Sequence, residues 1–260
     1  VAAEGGWARR VHARGLSAKQ RLHFAALLIA LACAPLLRAQ SDIGFDPAIT
    51  QAEFVKFSRI AAQSIYATPV DPARARGLLG FDIGVAVVAV PVDTASPYWQ
   101  HAVQDDFTVH DYVAVPRIVA SKGLSVATLS ATYAKIQSSD ITMWGGALDV
   151  PIFSGGLLKP TIAIRGAYST LSGSDVYDLK TYGAEVFLSK GFGPVTPYIA
   201  AGRMKLDATG TVSPTLSLHD DSAFNRYTVG VKLSLLLPKI VIEATQGEER
   251  SYAAKISFGL

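Results

Sequence analysis

The stretch FNRYTVGVKLSLLLPKIVIEATQGEERSYAAKISFGL, residues 224–260, decides the fold. Its first part places Tyr227, Val229, Val231, Leu233 and Leu235 on one parity and Arg226, Thr228, Gly230, Lys232 and Ser234 on the other. After Pro238-Lys239, Ile240, Ile242 and Ala244 alternate with Val241, Glu243 and Thr245. After residues 246–251, Tyr252, Ala254, Ile256, Phe258 and Leu260 alternate with Ala253, Lys255, Ser257 and Gly259. Successive side chains of a strand point to opposite faces, so a period of two predicts three strands, each apolar on one side. Strands of this kind must close on themselves or cover their edges.

The chain has 260 residues, of which 50% are hydrophobic and only 17% charged. No stretch supplies the ~18 or more apolar residues that a spanning helix needs. The apolar run Phe24–Leu37 is too short for that. It follows a basic lead of Arg9, Arg10, Arg14, Lys19 and Arg21 and precedes Leu37-Arg38-Ala39, which predicts a signal peptide over residues 1–39. A membrane anchor or buried helix is the alternative for the same run, and Ala30-Leu31-Ala32-Cys33 bears a faint likeness to a lipoprotein cleavage box. Residues 1–39 hold six of the 24 basic and one of the 21 acidic residues, so cleavage leaves 18 basic and 20 acidic, a net of −2. The basic balance therefore belongs to the leader and gives no reason to expect nucleic acid as a partner. The single cysteine, Cys33, leaves with it.

Past the leader, Thr50-Gln51-Ala52-Glu53 forms a capping box flanked by Ile49 and Phe54 as a hydrophobic staple. Phe54, Phe57, Ala61 and Ile65 continue at helical spacing, which predicts an amphipathic helix over about 51–65. It is expected to pack at the periplasmic mouth of the barrel or to plug it. Residues 67–77, with Pro69, Pro72 and Gly77, predict a stiff linker. The domains expected are a signal peptide (1–39), a periplasmic helix and Pro-rich linker (40–77), and a barrel (78–260).

Ten strands follow, at about 78–91, 111–120, 124–136, 140–152, 159–170, 177–190, 195–207, 223–236, 239–247 and 250–260. Tight connections alternate with another set that includes the long segments 91–110 and 207–222. Outer-membrane barrels have even strand numbers, short periplasmic turns and longer outer loops, and this alternation fits with both chain ends periplasmic.

Aromatic residues decide which face meets what. Tyr133, Trp144, Tyr168, Tyr182, Tyr227 and Tyr252 share the apolar parity near the outer end; Tyr198 and Phe258 are read as its counterparts at the other end. Two aromatic belts around an aliphatic band predict a lipid-facing surface. The opposite parity holds Asp82, Arg117, Asp149, Arg165, Glu185, Arg203, Lys205, Arg226, Lys232, Glu243 and Lys255. Facing lipid, Arg or Lys would cost about 2–4 kcal/mol each near the midplane, so all are expected to line the lumen. Gly84, Gly145, Gly183, Gly230 and Gly259 give room, while Met143 and Phe187 narrow the bore.

At this point the chain resembles the outer-membrane β-barrel proteins of Gram-negative bacteria, in particular a group laid out as signal, short helix, Pro-rich linker and barrel. The matching stretches are Gly80-Phe-Asp-Ile-Gly84, Asp140-Ile-Thr-Met-Trp-Gly-Gly146, Arg165-Gly-Ala-Tyr168 with Leu171-Ser-Gly173, and Ser189-Lys-Gly-Phe192 with Thr196-Pro-Tyr198. The resemblance implies an outer-membrane location, lipid as a partner, and a last strand read by the barrel-insertion machinery, although it ends in Leu260 with its aromatic at Phe258.

No phosphate loop, zinc-type Cys/His spacing or nucleophile elbow is present, and no cofactor or metal is expected. His101, His110 and His219 lie beside Asp105-Asp106, Asp111 and Asp220-Asp221. Some ten-stranded outer-membrane proteases of the omptin family carry Asp and His pairs at such a rim, so an enzyme there is one alternative, and a soluble periplasmic barrel with an apolar interior is another. The reading preferred is a structural or narrowly conducting barrel with a charged, side-chain-filled lumen.

Overall fold

The computed structural model describes residues 43–103, 112–136, 140–156, 159–235 and 237–260. The expected leader with Cys33, and His110 with Asp105, Asp106 and Asp111, lie outside the described residues. The order is helix α1 (Gln51–Ile65), β1 (Phe81–Pro91), short helix α2 (Pro97–Gln100), β2 (Tyr112–Gly123), β3 (Thr128–Lys135), β4 (Thr142–Phe153) and β5 (Thr161–Ser172). β6 (Tyr177–Ser189), β7 (Val195–Ser213), β8 (Leu216–Asp220), β9 (Ala223–Ser234), β10 (Pro238–Gln246) and β11 (Arg250–Gly259) follow.

Sequence neighbours pair antiparallel, except that β8 and β9 both pair with β7, and β1 pairs with β11 from Asp82↔Gly259 to Ala89↔Tyr252, which closes the sheet. The pairs Ala208↔Asp220 and Lys205↔Ala223 lie on one register, so β8 and β9 are a single strand interrupted at Asp221 and Ser222. The wall is thus a closed antiparallel barrel of ten strands. Residues 207–222, expected as a long outer loop, are instead mostly a hairpin that carries β7 and β8 beyond the barrel. We call the end with the tight turns and Leu260 the base and the opposite end the rim.

The outer face is apolar. Ile118 is 57% exposed while Arg165 is 0% exposed, so the inside of this barrel is the charged side. That is the reverse of a soluble barrel with an apolar interior. Tyr133 and Trp144 are cross-strand partners, as are Tyr168 and Tyr182, and the Trp144 and Tyr168 rings meet edge to face at 6.1 Å. With Tyr227 and Tyr252 they ring the outer surface on the rim side, all exposed. Phe81, Phe153, Phe192 and Phe258 stand exposed toward the base. From Trp144 to Ile152 the strand runs roughly 26 Å, or about 20 Å across the membrane at a tilt near 40°. No helix among the described residues is long and apolar enough to cross a membrane. The fold is a transmembrane β-barrel, spanning by strands.

Three residues of β7 correct the sequence reading. Tyr198 is buried inside, its ring over Gly230 on β9, and its hydroxyl donates to Glu243 Oε2 at 2.6 Å. Arg203 and Lys205 point outward. The whole strand is turned by one residue relative to expectation. The cause is the inside of the rim half, which is apolar: Met204, Leu206 and Ala208 face inward against buried Leu179 and Tyr177. Above the lipid band the rule that apolar means outward inverts, and β7 crosses that boundary.

The chain before β1 does not cap the base. Ile43 bridges Val103 at the rim, α1 descends into the barrel, and residues 66–76 pass down the lumen to leave at the base by Gly77–Gly80. The helix expected at the periplasmic mouth is therefore at the opposite end. In a chain free of Cys33, cysteines placed at exposed Ala48 and Thr215 should react with an impermeant maleimide from one side of the membrane, and one at exposed Ser154 only from the other. Labelling of Ala48 together with Ser154 would refute the threading.

Candidate functional site

The site is the lumen and the segment that fills it. Its upper layer is built by α1. The Glu53 backbone N–H donates to Thr50 Oγ1 at 3.3 Å and the Thr50 N–H donates to Glu53 Oε2 at 2.8 Å, closing the capping box. That backbone bond, and then the His101 ring at 3.1 Å, hold the Glu53 carboxyl below the ordinary carboxylate range. A depressed carboxyl contributes stability above its unfolded value and loses it only as pH falls through the lowered one, so the cap persists into mild acid. Phe45, Phe54 and Phe57 pack edge to face around Tyr177, with centroids 5.6–6.1 Å from its ring. Trp99 closes over Phe57 at 6.2 Å.

Polar side chains tie α1 to the rim. Arg59 reaches Glu248 at 2.9 Å, Gln63 Nε2 donates to the Glu249 carbonyl at 2.6 Å, and Gln51 Nε2 donates to the His219 carbonyl at 2.7 Å. The C-terminus of the helix is buried mid-barrel, with Ser64, Ile65 and Tyr66 all buried. Arg117 from β2 meets them, donating to the carbonyls of Tyr66, at 2.9 Å, and Ser64. A fixed cation at a helix C-terminus also opposes the negative end of its dipole.

The lower layer is ionic. Asp71, in the threaded segment and 2% exposed, accepts from Lys232 Nζ of β9 at 2.7 and 3.1 Å. Arg76 pairs with the same carboxylate, and Lys255 of β11 lies at 3.5 Å. Asp82 gathers Lys239 at 3.0 Å, Arg76 at 3.4 Å and Lys255 at 3.5 Å. Arg165 binds Asp149 in a fork, at 2.7 and 2.9 Å, and donates to the Asp71 carbonyl at 2.9 Å. Its guanidinium lies 4.4 Å from the Phe187 ring centroid. Arg226 meets Glu185 at 3.4 Å and stacks over Tyr66 at 4.6 Å. Buried charges persist only when paired and hydrogen-bonded, and here the threaded segment supplies a central partner.

Of the expected lumen residues, Asp82, Arg117, Asp149, Arg165, Glu185, Arg226, Lys232, Glu243 and Lys255 are inside and buried, as are Met143 and Phe187. Arg203 and Lys205 are not. The sequence reading missed Asp71, Arg76 and Lys239. The first two sit in a segment without periodicity, and Lys239 lies at the start of a strand beside a turn. Of the expected rim histidines, His101 contacts Glu53 and His219 contacts Thr209 at 3.2 Å at the exposed rim. Among the described residues no cluster of His, Cys, Asp or Glu could hold a metal.

No protein-family model matches the chain, and no curated protein matches it in sequence. Solved structures similar to it in fold include the N-terminal β-barrel domain of Pseudomonas aeruginosa OprF, at 10% identity over 71% of this chain and 99% of that one, with a TM-score of 0.35. LpxR from Salmonella typhimurium matches at 10% identity over 68% and 99%, TM-score 0.37. Neisserial surface protein A matches at 10% over 69% and 96%, TM-score 0.30. At these scores they add nothing to the chemistry of the site, which rests on the contacts above.

Wall glycines admit the plug. A Cβ on Gly210 would stand 2.4 Å from Phe54 and 2.8 Å from Phe45, and one on Gly183 2.8 Å from the Tyr66 hydroxyl. Gly166 faces outward with nothing within 4 Å. Gly210→Val should cost about 1–3 kcal/mol by overpacking, read by urea unfolding in micelles, while Gly166→Ala should change little. Equal effects would mean that the plug does not press on the wall.

Proposed function

We propose that this chain is an outer-membrane β-barrel that carries its own plug, so that it is structural or at most narrowly conducting rather than a general porin. The observation that carries the reading is Asp71, a carboxylate of the threaded segment held at once by Lys232, Lys255 and Arg76. Few-stranded barrels are filled by side chains, whereas those of about 16–18 strands hold aqueous channels. Ten strands leave space that the segment 45–76 fills, apolar above and ionic below. The apolar outer band between two aromatic belts and the signal-like leader support the outer membrane as the location. β11, which ends the wall and closes it against β1, is the strand we propose the insertion machinery reads.

The described interior holds Arg76, Arg117, Arg165, Arg226, Lys232, Lys239 and Lys255 against Asp71, Asp82, Asp149, Glu185, Asp220 and Glu243. Any residual path would therefore favour anions. In planar bilayers the intact protein should give small conductance steps or none, and deletion of residues 43–76 should enlarge them. Large, stable steps from the intact chain would refute the plugged reading.

A further inference from the structure

The outward cation Arg203 has no ion pair or hydrogen-bond partner among the described residues. Its height on the wall gives it meaning. Tyr182 of β6 pairs with Lys205, and Tyr227 of β9 pairs with Ala201, so the belt that joins the two tyrosines crosses β7 midway, at Arg203. Where its neighbours place an aromatic ring, β7 places a guanidinium. Asn225, exposed, is its cross-strand partner, and Lys205 stands one step toward the rim, held by Asp221 at 2.6 Å and 5.8 Å from the Tyr182 ring.

The surface beside Arg203 is shaped as well as charged. The pairs Arg203↔Ala184, Ala184↔Gly166 and Gly166↔Leu148 form one row across four strands. The belt residues lie two positions rimward of that row at Tyr182 and Tyr168 and four rimward at Trp144, so the row starts in the belt at Arg203 and descends into the lipid band. Because Ala184 and Gly166 are small, it forms a shallow groove under the Tyr182 and Tyr168 rings, with Arg203 and Lys205 at its upper end.

We propose that this groove binds an anionic lipid of the rim-side leaflet with a phosphate monoester headgroup, not a zwitterionic one, with the phosphate on Arg203 and one acyl chain running over Ala184 and Gly166 toward Leu148. The belt is the depth at which headgroups lie, and an arginine fork suits a phosphate oxygen pair. A long cation at the interface also extends its head toward the polar layer while its stem covers apolar surface. This goes beyond the plugged lumen and rests only on the barrel standing in lipid.

The test compares wild type, Arg203→Leu, Arg203→Lys and, as a cation away from the groove, Lys135→Leu. Each is refolded in phosphatidylcholine with or without a minor fraction of phosphatidic acid, and heat-modifiable gel mobility reports closure of the barrel. In phosphatidylcholine alone Arg203→Leu should melt at or above wild type, because an unpartnered cation is removed. With phosphatidic acid the order should reverse. Native mass spectrometry should show a retained phosphatidic acid on wild type that falls roughly tenfold in Arg203→Leu and partly survives in Arg203→Lys. The same order of melting in both lipids, or an equal loss in Lys135→Leu, would overturn the site and leave only general charge attraction. A barrel that failed to enter vesicles at all would instead contradict the membrane reading.

Discussion

The structure depends on a buried carboxylate that does not belong to the wall. Asp71 lies in the threaded segment, yet Lys232 and Lys255 come from strands far along the chain and Arg76 from the segment itself. Without it, two buried ammonium groups would face each other across a low-dielectric lumen with a carboxylate too few. Removing one partner of a buried pair typically costs about 3–5 kcal/mol, since the other charge stays behind. Wall and plug are therefore one electrostatic object, and the filled lumen is more stable than an emptied one.

The same constraint orders the two layers. Near the base, where the outside is lipid, the inside is ionic and the segment crosses it as non-helical chain that brings Asp71 and Arg76. Near the rim the wall rises into water, and its inside turns apolar around Phe54, Phe57 and Tyr177. Arg117 stands at the junction and satisfies the carbonyls where helix gives way to extended chain. The polarity of the wall thus inverts along its own strands, from apolar outside to apolar inside.

That inversion explains what the sequence shows and what it hides. Alternation is strong in β9, β10 and β11, because most outward positions there are apolar and face the lipid band, and strand number, closure and most of the rimward belt follow from it. The capping box at Thr50 and Glu53 likewise marks the helix locally. β7 defeats the same rule: Met204 and Leu206 are apolar because they face the apolar interior of the rim half, so Arg203 is read inward and Tyr198 outward. The place of α1 at the rim is not legible either. It is set by long-range contacts such as Gln63 with Glu249 and Arg117 with Ser64, and no local pattern encodes a chain threading its own barrel. Asp71 is hidden for the same reason, as an acidic residue in a Pro-containing linker.

The most direct measurement of the threaded plug is a double-mutant cycle between Asp71 and Lys232, with Asp71→Asn, Lys232→Met and the pair, read by urea unfolding in micelles. If the segment lies in the lumen, the two effects are strongly non-additive, with a coupling of about 1–3 kcal/mol, and the double variant is less damaged than the sum of the singles. Additivity within about 0.5 kcal/mol would show that Asp71 does not meet the wall and would contradict the account.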